Sequence, residues 1–152
     1  MKEYPWGKGT ITRYYFDTAN DSDVVIQTVA AGKIVQPLMI NAQIHADANA
    51  GNRTLACVIT DGTNILWASK TASIAANLYG VLRVQFGNGI TSTTVGQVQR
   101  IDSVNDASVA LAVVCPLVYL PAGYTVRIYD SAAVSVNGDD MLIAYQYVEY
   151  DA

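Results

Sequence analysis

Leu38-Met39-Ile40-Asn41-Ala42-Gln43-Ile44-His45-Ala46-Asp47 is the stretch that decides the fold class. Apolar Leu38, Ile40, Ala42, Ile44 and Ala46 occupy every second position, with Met39, Asn41, Gln43, His45 and Asp47 between them. A period of two places the two sets on opposite faces of a β-strand, so the segment reads as a half-buried strand.

The same alternation extends outward along the chain. Leu82, Val84 and Phe86 alternate with Arg83 and Gln85, and Tyr124, Val126 and Ile128 alternate with Thr125, Arg127 and Tyr129. Apolar content and β-branched residues predict further strands over Thr10–Phe16, Asp23–Ala30, Arg53–Thr60, Asn64–Ser69, Ser108–Leu120 and Met141–Tyr150. Turn residues punctuate them. Asp61-Gly62-Thr63-Asn64 reads as a tight hairpin, and Leu120-Pro121-Ala122-Gly123 as a turn in which Gly123 takes a positive φ. Asn49-Ala50-Gly51-Asn52, Gly87-Asn88-Gly89 and Asn137-Gly138-Asp139-Asp140 read as loops. Helix formers are sparse, and only Thr71–Asn77 suits a turn of helix. About eight to nine short strands at this spacing predict an all-β chain, an antiparallel β-sandwich or barrel. Residues 1–9 read as an N-terminal arm and residues 10–152 as one domain, a size that buries most of its unfolded surface without a staple or a metal.

Two predicted strands are apolar on both sides. Ser108–Leu120 carries Val109, Leu111, Val113 and Cys115 on one side and Ala110, Ala112 and Val114 on the other. The last strand places Met141, Ile143, Tyr145 and Tyr147 on one side, with Leu142, Ala144, Val148 and Tyr150 opposite and Gln146 the polar break. A strand with one wet face alternates, so both segments are expected to be covered twice, once by the core and once by a neighbouring subunit.

Composition points the same way. Charged residues make up 14% of the chain, against roughly 25% in an ordinary soluble domain. Glu3 and Glu149 are the only glutamates. The net charge is -4, and the nine Lys and Arg residues are scattered, which argues against nucleic acid as a partner. No apolar run reaches membrane-spanning length, and Met1–Gly7 lacks the apolar region of a secretory peptide. Cys57 and Cys115 sit inside apolar runs and read as buried, reduced thiols, which suits folding in a cytoplasm.

Catalytic chemistry finds little purchase. His45 is the only histidine and lies on the polar side of its strand, so it reads as solvated or interfacial. No nucleophile-elbow sequence supports a Ser-His-Asp site, and two cysteines with one histidine share no zinc spacing. Asn20-Asp21-Ser22-Asp23 and Asn137-Gly138-Asp139-Asp140 offer oxygen ligands to calcium, but neither completes a calcium loop, and turn formation accounts for both. A paired-carboxylate glycosidase site finds no support either. The expectation is a chain that is not an enzyme, with no catalytic, cofactor or metal residues.

Aromatic residues carry the binding expectation. There are ten tyrosines, two tryptophans and two phenylalanines. Tyrosine suits surfaces that are partly buried and partly wet. Tyr4, Trp6, Tyr14, Tyr15 and Phe16 crowd the N-terminal segment, which either lids the core or docks on a neighbour. A third reading is a sugar-stacking platform using Trp67 or Trp6. Tyr4, Trp6, Tyr14, Tyr15, Tyr145, Tyr147 and Tyr150 are the candidate interface residues.

The C-terminal third, from Pro116-Leu117-Val118-Tyr119-Leu120-Pro121-Ala122-Gly123-Tyr124-Thr125-Val126-Arg127-Ile128 through Asn137-Gly138-Asp139-Asp140 to Met141-Leu142-Ile143-Ala144-Tyr145-Gln146-Tyr147-Val148-Glu149-Tyr150, resembles the closing strands of compact jelly-roll domains. Trimeric jelly rolls of the tumour-necrosis-factor type close in a similar way. Small virion proteins of tailed phages are more similar, in particular capsid decoration (cement) proteins and head or tail fibre knobs. The resemblance covers strands and turns, and it carries over no functional residue. It implies a jelly-roll sandwich, a structural virion protein made in a host bacterial cytoplasm, and a homotrimer that stabilises the head over junctions of the major capsid protein. The alternative it implies is a tail-fibre or receptor-binding knob that binds carbohydrate.

Overall fold

The computed structural model describes residues 10–17, 23–46, 53–87, 109–130 and 140–152. The described residues contain ten strands and no helix. They are β1 (Thr10–Asp17), β2 (Asp23–Thr28), β3 (Lys33–His45), β4 (Leu55–Thr60), β5 (Ile65–Lys70), β6 (Tyr79–Phe86), β7 (Val109–Cys115), β8 (Leu120–Pro121), β9 (Thr125–Asp130) and β10 (Asp140–Asp151). The arm expected over residues 1–9 lies outside the described residues.

Two sheets form a β-sandwich. The larger has the order β1-β10-β3-β6-β7, with β8 pairing one end of β3, and the smaller has the order β2-β9-β4-β5. Their facing sides make one hydrophobic cluster. The larger sheet contributes Ile40, Ala42 and Ile44 from β3, Leu82, Val84 and Phe86 from β6, and Met141, Ile143, Tyr145 and Tyr147 from β10. The smaller sheet contributes Ile26, Leu55, Cys57, Ile59, Val126 and Ile128. The alternation that opens the sequence reading is therefore the inward and outward alternation of β3.

Its phase changes once. Pro37 pairs with Tyr147 and Met39 with Gln146, which leaves Leu38 as the extra residue of a bulge. Val35 and Pro37 are buried before the bulge and Ile40, Ala42 and Ile44 after it. One inserted residue lets a thirteen-residue strand keep apolar side chains on the core at both ends.

The two predicted turns form as their residues dictate. At β4–β5, Asp61 Oδ1 accepts hydrogen bonds from the Thr63 and Asn64 amides at 2.9 and 2.6 Å, and Gly62 has φ +94°. Between β8 and β9 the Tyr124 amide donates to the Pro121 carbonyl at 3.2 Å, with Gly123 at φ +87°. Both glycines occupy the left-handed region that other residues avoid.

Three expectations are corrected. Ser108–Leu120 is not one strand: β7 ends at Cys115, and a non-strand segment through Tyr119 precedes β8. Pro116 has no amide to donate, so it ends the ladder there. The sandwich is not wholly antiparallel, because β6 and β7 run parallel, Gly80 opposite Val109 and Phe86 opposite Cys115. Thr71–Asn77 forms no helix. Its Ile74 makes an antiparallel bridge to Arg53, and Asn77 sits at φ 60°. On β10 the chain's own core covers one side, and Leu142 on the other side is exposed.

Candidate interaction surface

Pairing across the larger sheet lines up its outward residues in rows. Tyr14 of β1 is level with Ala144 of β10, Asn41 of β3 and Arg83 of β6. The next row holds Thr12, Gln146, Met39, Gln85 and Val114, and the row on the other side holds Leu142, Gln43 and Val81. Arg83 is the only charged side chain among these positions. The outward face of a sandwich is normally where polar and charged residues collect. Here the polar members are neutral amides and one threonine. Tyr14 is 74% exposed, Val114 53% and Leu142 41%, so apolar surface is open to water at both borders of the face.

The ends of the face are aromatic. Tyr150 donates to Gln36 Oε1 at 2.6 Å, and its ring lies 6.2 Å from that of Tyr119, which is itself exposed. At the other end the cross-strand pair His45 and Tyr79 stack with centroids 4.5 Å apart and planes 30° apart. His45 is half-buried in that ring contact. Within the face, Asn41 Oδ1 and Arg83 Nε are buried and make no hydrogen bond, although the two residues are cross-strand partners. Charges collect at the rim instead. Lys33 lies 3.5 Å from Glu149 and also contacts Asp151, joining the ends of β3 and β10.

The seven aromatic candidates separate. Tyr14 stands on the outward face and Tyr150 at its end. Tyr15 turns inward, packs on the core and donates its hydroxyl to the Ile26 carbonyl, which ties β1 to the facing sheet. Tyr145 and Tyr147 are corrected as interface residues: both are fully buried in the chain's own core. They share the phase of Met141 and Ile143, and their rings stack with centroids 4.9 Å apart. The Arg13 guanidinium rests 5.3 Å from the centre of the Tyr147 ring. Burial pushes both phenols above their ordinary pKa, with Arg13 opposing the shift at each. The Tyr145 hydroxyl finds no hydrogen-bond partner. Tyr4 and Trp6 lie outside the described residues.

The remaining candidates give no reactive centre. Cys57 and Cys115 are free, buried thiols, as expected. Burial raises the pKa of both, that of Cys115 to about 11. The described residues contain no group of three or more His, Cys, Asp or Glu side chains able to hold a metal. Residues 18–22 and 131–139, which carry most of the candidate calcium ligands, lie outside the described residues. Trp67 is half-buried against Phe86, ring centroids 6.1 Å apart. Sequence reading missed Ile65 and Leu66, 68% and 51% exposed on the edge strand β5, and it missed that Arg83 is the one charge in the three central rows of its face. The signal for the first was two adjacent large apolar residues directly after a turn; the second emerges only once four strands are in register.

Comparison with known protein families, with curated proteins and with solved structures returns no match.

Proposed function

We propose that this chain is a non-catalytic structural module that builds into a larger assembly, of the kind a capsid decoration protein forms on a tailed-phage head. The observation that carries the reading is the outward face of the larger sheet, whose three central rows hold a single charge, Arg83, with Tyr14, Leu142 and Val114 exposed. Neutral amides and aliphatic groups cost less to bury than the charged ends of Lys and Glu. Exposed apolar side chains at the borders of a nearly uncharged face suit a surface that meets another protein.

The strand order supports the jelly-roll part of the proposal. With β7 and β8 set aside as an insertion, the sheets read first-last-third-sixth and second-seventh-fourth-fifth in chain order. That is the wiring of two interleaved Greek keys over eight strands. The resemblance of the C-terminal third to phage virion proteins supports the virion part, with the homotrimer it implies as one form of the assembly.

The test is incorporation. Virions from cultures that produce the chain are purified and their proteins identified by mass spectrometry. The chain is expected in the particles at a fixed ratio to the major capsid protein. A Leu142→Glu, Val114→Glu double variant, checked for folding by circular dichroism, is expected to be lost from them. A chain absent from purified virions, or a double variant incorporated as well as wild type, refutes the proposal.

A further inference from the structure

We infer that the outward face of the larger sheet packs against the same face of a second copy of this chain, related by a two-fold axis that runs along the strands between β10 and β3. The inference rests on the assembly reading and names the partner of that surface.

Three observations support a second copy. The first is area. The four strands that overlap about this axis, about 4.8 Å apart with about seven residues of about 3.3 Å rise, cover roughly 19 by 23 Å. Two such faces hide about 890 Å² before side-chain relief is counted, close to the roughly 1,000 Å² that a specific interface needs. The second is charge. A face meeting its own copy meets its own charges, and the three central rows of this face carry one, Arg83, on each copy, displaced from the axis, so no like charges oppose each other there.

The third is register. A two-fold axis along the strands keeps every residue at its own level and exchanges β1 with β6 and β10 with β3. Tyr14, Ala144, Asn41 and Arg83 share one level. The axis therefore sets the exposed Tyr14 ring of each copy over the Arg83 guanidinium of the other and Ala144 over Asn41. The only charge in the three central rows meets an aromatic ring, an attractive pairing for a guanidinium. The small Ala144 side chain lets the centres of the sheets approach. One row along, Gln146 meets Met39 and Thr12 meets Gln85, with no charge on either side.

The experiment is the mass of the full chain by sedimentation equilibrium across a concentration series, with folding of each variant checked by thermal unfolding. Wild type is expected at twice the chain mass. Tyr14→Arg sets two cations against each other and is expected to weaken pairing at least tenfold. Adding Arg83→Glu to Tyr14→Arg is expected to restore it. Within one chain the two positions are three strand spacings apart, about 14 Å, so a rescue acts between copies. Ile65→Glu, a charge placed on the exposed apolar edge of the other sheet, is expected to leave the dimer intact.

A wild-type monomer or trimer overturns the two-fold pairing, as does a Tyr14→Arg variant that pairs like wild type, a charge swap that fails to rescue, or a dimer abolished by Ile65→Glu. Such results leave the assembly reading standing if the chain is still found in virions and the Leu142→Glu, Val114→Glu variant is still lost from them.

Discussion

Gly80 is where the packing of the two sheets can be tested most sharply. A methyl group on its Cα would stand 2.1 Å from Ile74 Cδ1, 2.9 Å from Ile74 Cγ1 and 3.1 Å from Ile44 Cγ2. Ordinary carbon contacts lie near 3.5 to 4.0 Å. Ile74 has no exposed surface, and two backbone hydrogen bonds with Arg53, of 2.6 and 3.0 Å, hold its backbone in place. Gly80→Ala must therefore turn the Ile74 side chain out of its rotamer or push the bridge away from β6. Overpacking of this kind costs about 1 to 3 kcal/mol. The loss of unfolded-chain freedom on replacing glycine offsets about 0.4 to 1 kcal/mol. The net expectation is a destabilisation of about 1 to 2 kcal/mol, read by urea unfolding. Ile74→Val alone is expected to cost about 0.5 to 1.5 kcal/mol by leaving a small void. In the Gly80→Ala background the same change removes the atom at 2.1 Å, so it should cost little or recover stability. The double-mutant cycle should return a coupling of about 1 kcal/mol or more. Additivity within about 0.5 kcal/mol would show that the two side chains do not meet, and the argument about how β6 sits on the Arg53–Ile74 bridge would fail.

Other outcomes follow from burial and local hydrogen bonding. Tyr145→Phe removes a buried hydroxyl that has no partner, so urea unfolding should show stability unchanged or raised by about 1 kcal/mol; a loss above about 1 kcal/mol would mean that the hydroxyl is satisfied. Cys57 and Cys115 should resist a disulfide-exchange reagent at pH 8 in the folded chain and react fully in urea, and rapid labelling without denaturant would contradict their burial. Burial raises the folded pKa of both thiols above the ordinary 9.0, so the unfolded chain loses these protons first and stability falls as pH rises past about 9. A Cys57→Ala, Cys115→Ala variant should show a shallower alkaline decline between pH 8.5 and 10.5, and an unchanged slope would sink the linkage. Asp61 is shifted the other way. Hydrogen bonds from Asn64 and Thr63 hold its carboxyl below the ordinary 3.8, so its contribution is present above that value and is lost as pH falls through the lower folded value. Asp61→Asn should remove the part of the acid-side stability loss that falls between pH 4 and 2, measured by thermal unfolding.

The sequence made the fold class legible because its strands alternate cleanly where one face is wet. The β3 and β6 runs, the Asp61–Asn64 hairpin and the Pro121–Gly123 turn are local statements, and each formed as its residues dictate. What failed was non-local. The parallel pairing of β7 with β6 depends on which strand edge was vacant, and nothing in Val109–Cys115 encodes that. The bulge at Leu38 interrupts a pattern that looked continuous, because both phases happened to be apolar. Chemical type reads Tyr145 and Tyr147 as interface residues, although their shared phase with Met141 and Ile143 places them in the core. Period alone pairs residues by face, and the most apolar members of a face say which side is inside. Tyr14 and Tyr150 fall on the opposite face to those residues, and both lie outward.

The low charge of this chain then acquires a location. It is not spread over the surface, since Lys33, Glu149 and Asp151 meet at the ends of β3 and β10, outside the rows whose one charge is Arg83. An apolar and amide centre with a charged rim is the anatomy of a protein interface, where the centre excludes water and the rim holds it. Such a face also limits its own strength. Gln43, Gln85, Gln146 and Asn41 lose hydration on burial and regain it only through imperfect hydrogen bonds, so much of the gain from Tyr14, Leu142 and Val114 is offset. A single contact of this kind is of modest strength, so the dimer it forms depends on concentration. Repeated over many copies on one scaffold, the same contact becomes strong, because each later copy binds from a high effective concentration. The face sets a condition on any partner: it must itself be nearly free of charge over roughly 24 by 23 Å, the span of five strands and about seven residues. The same face on a second copy meets that condition.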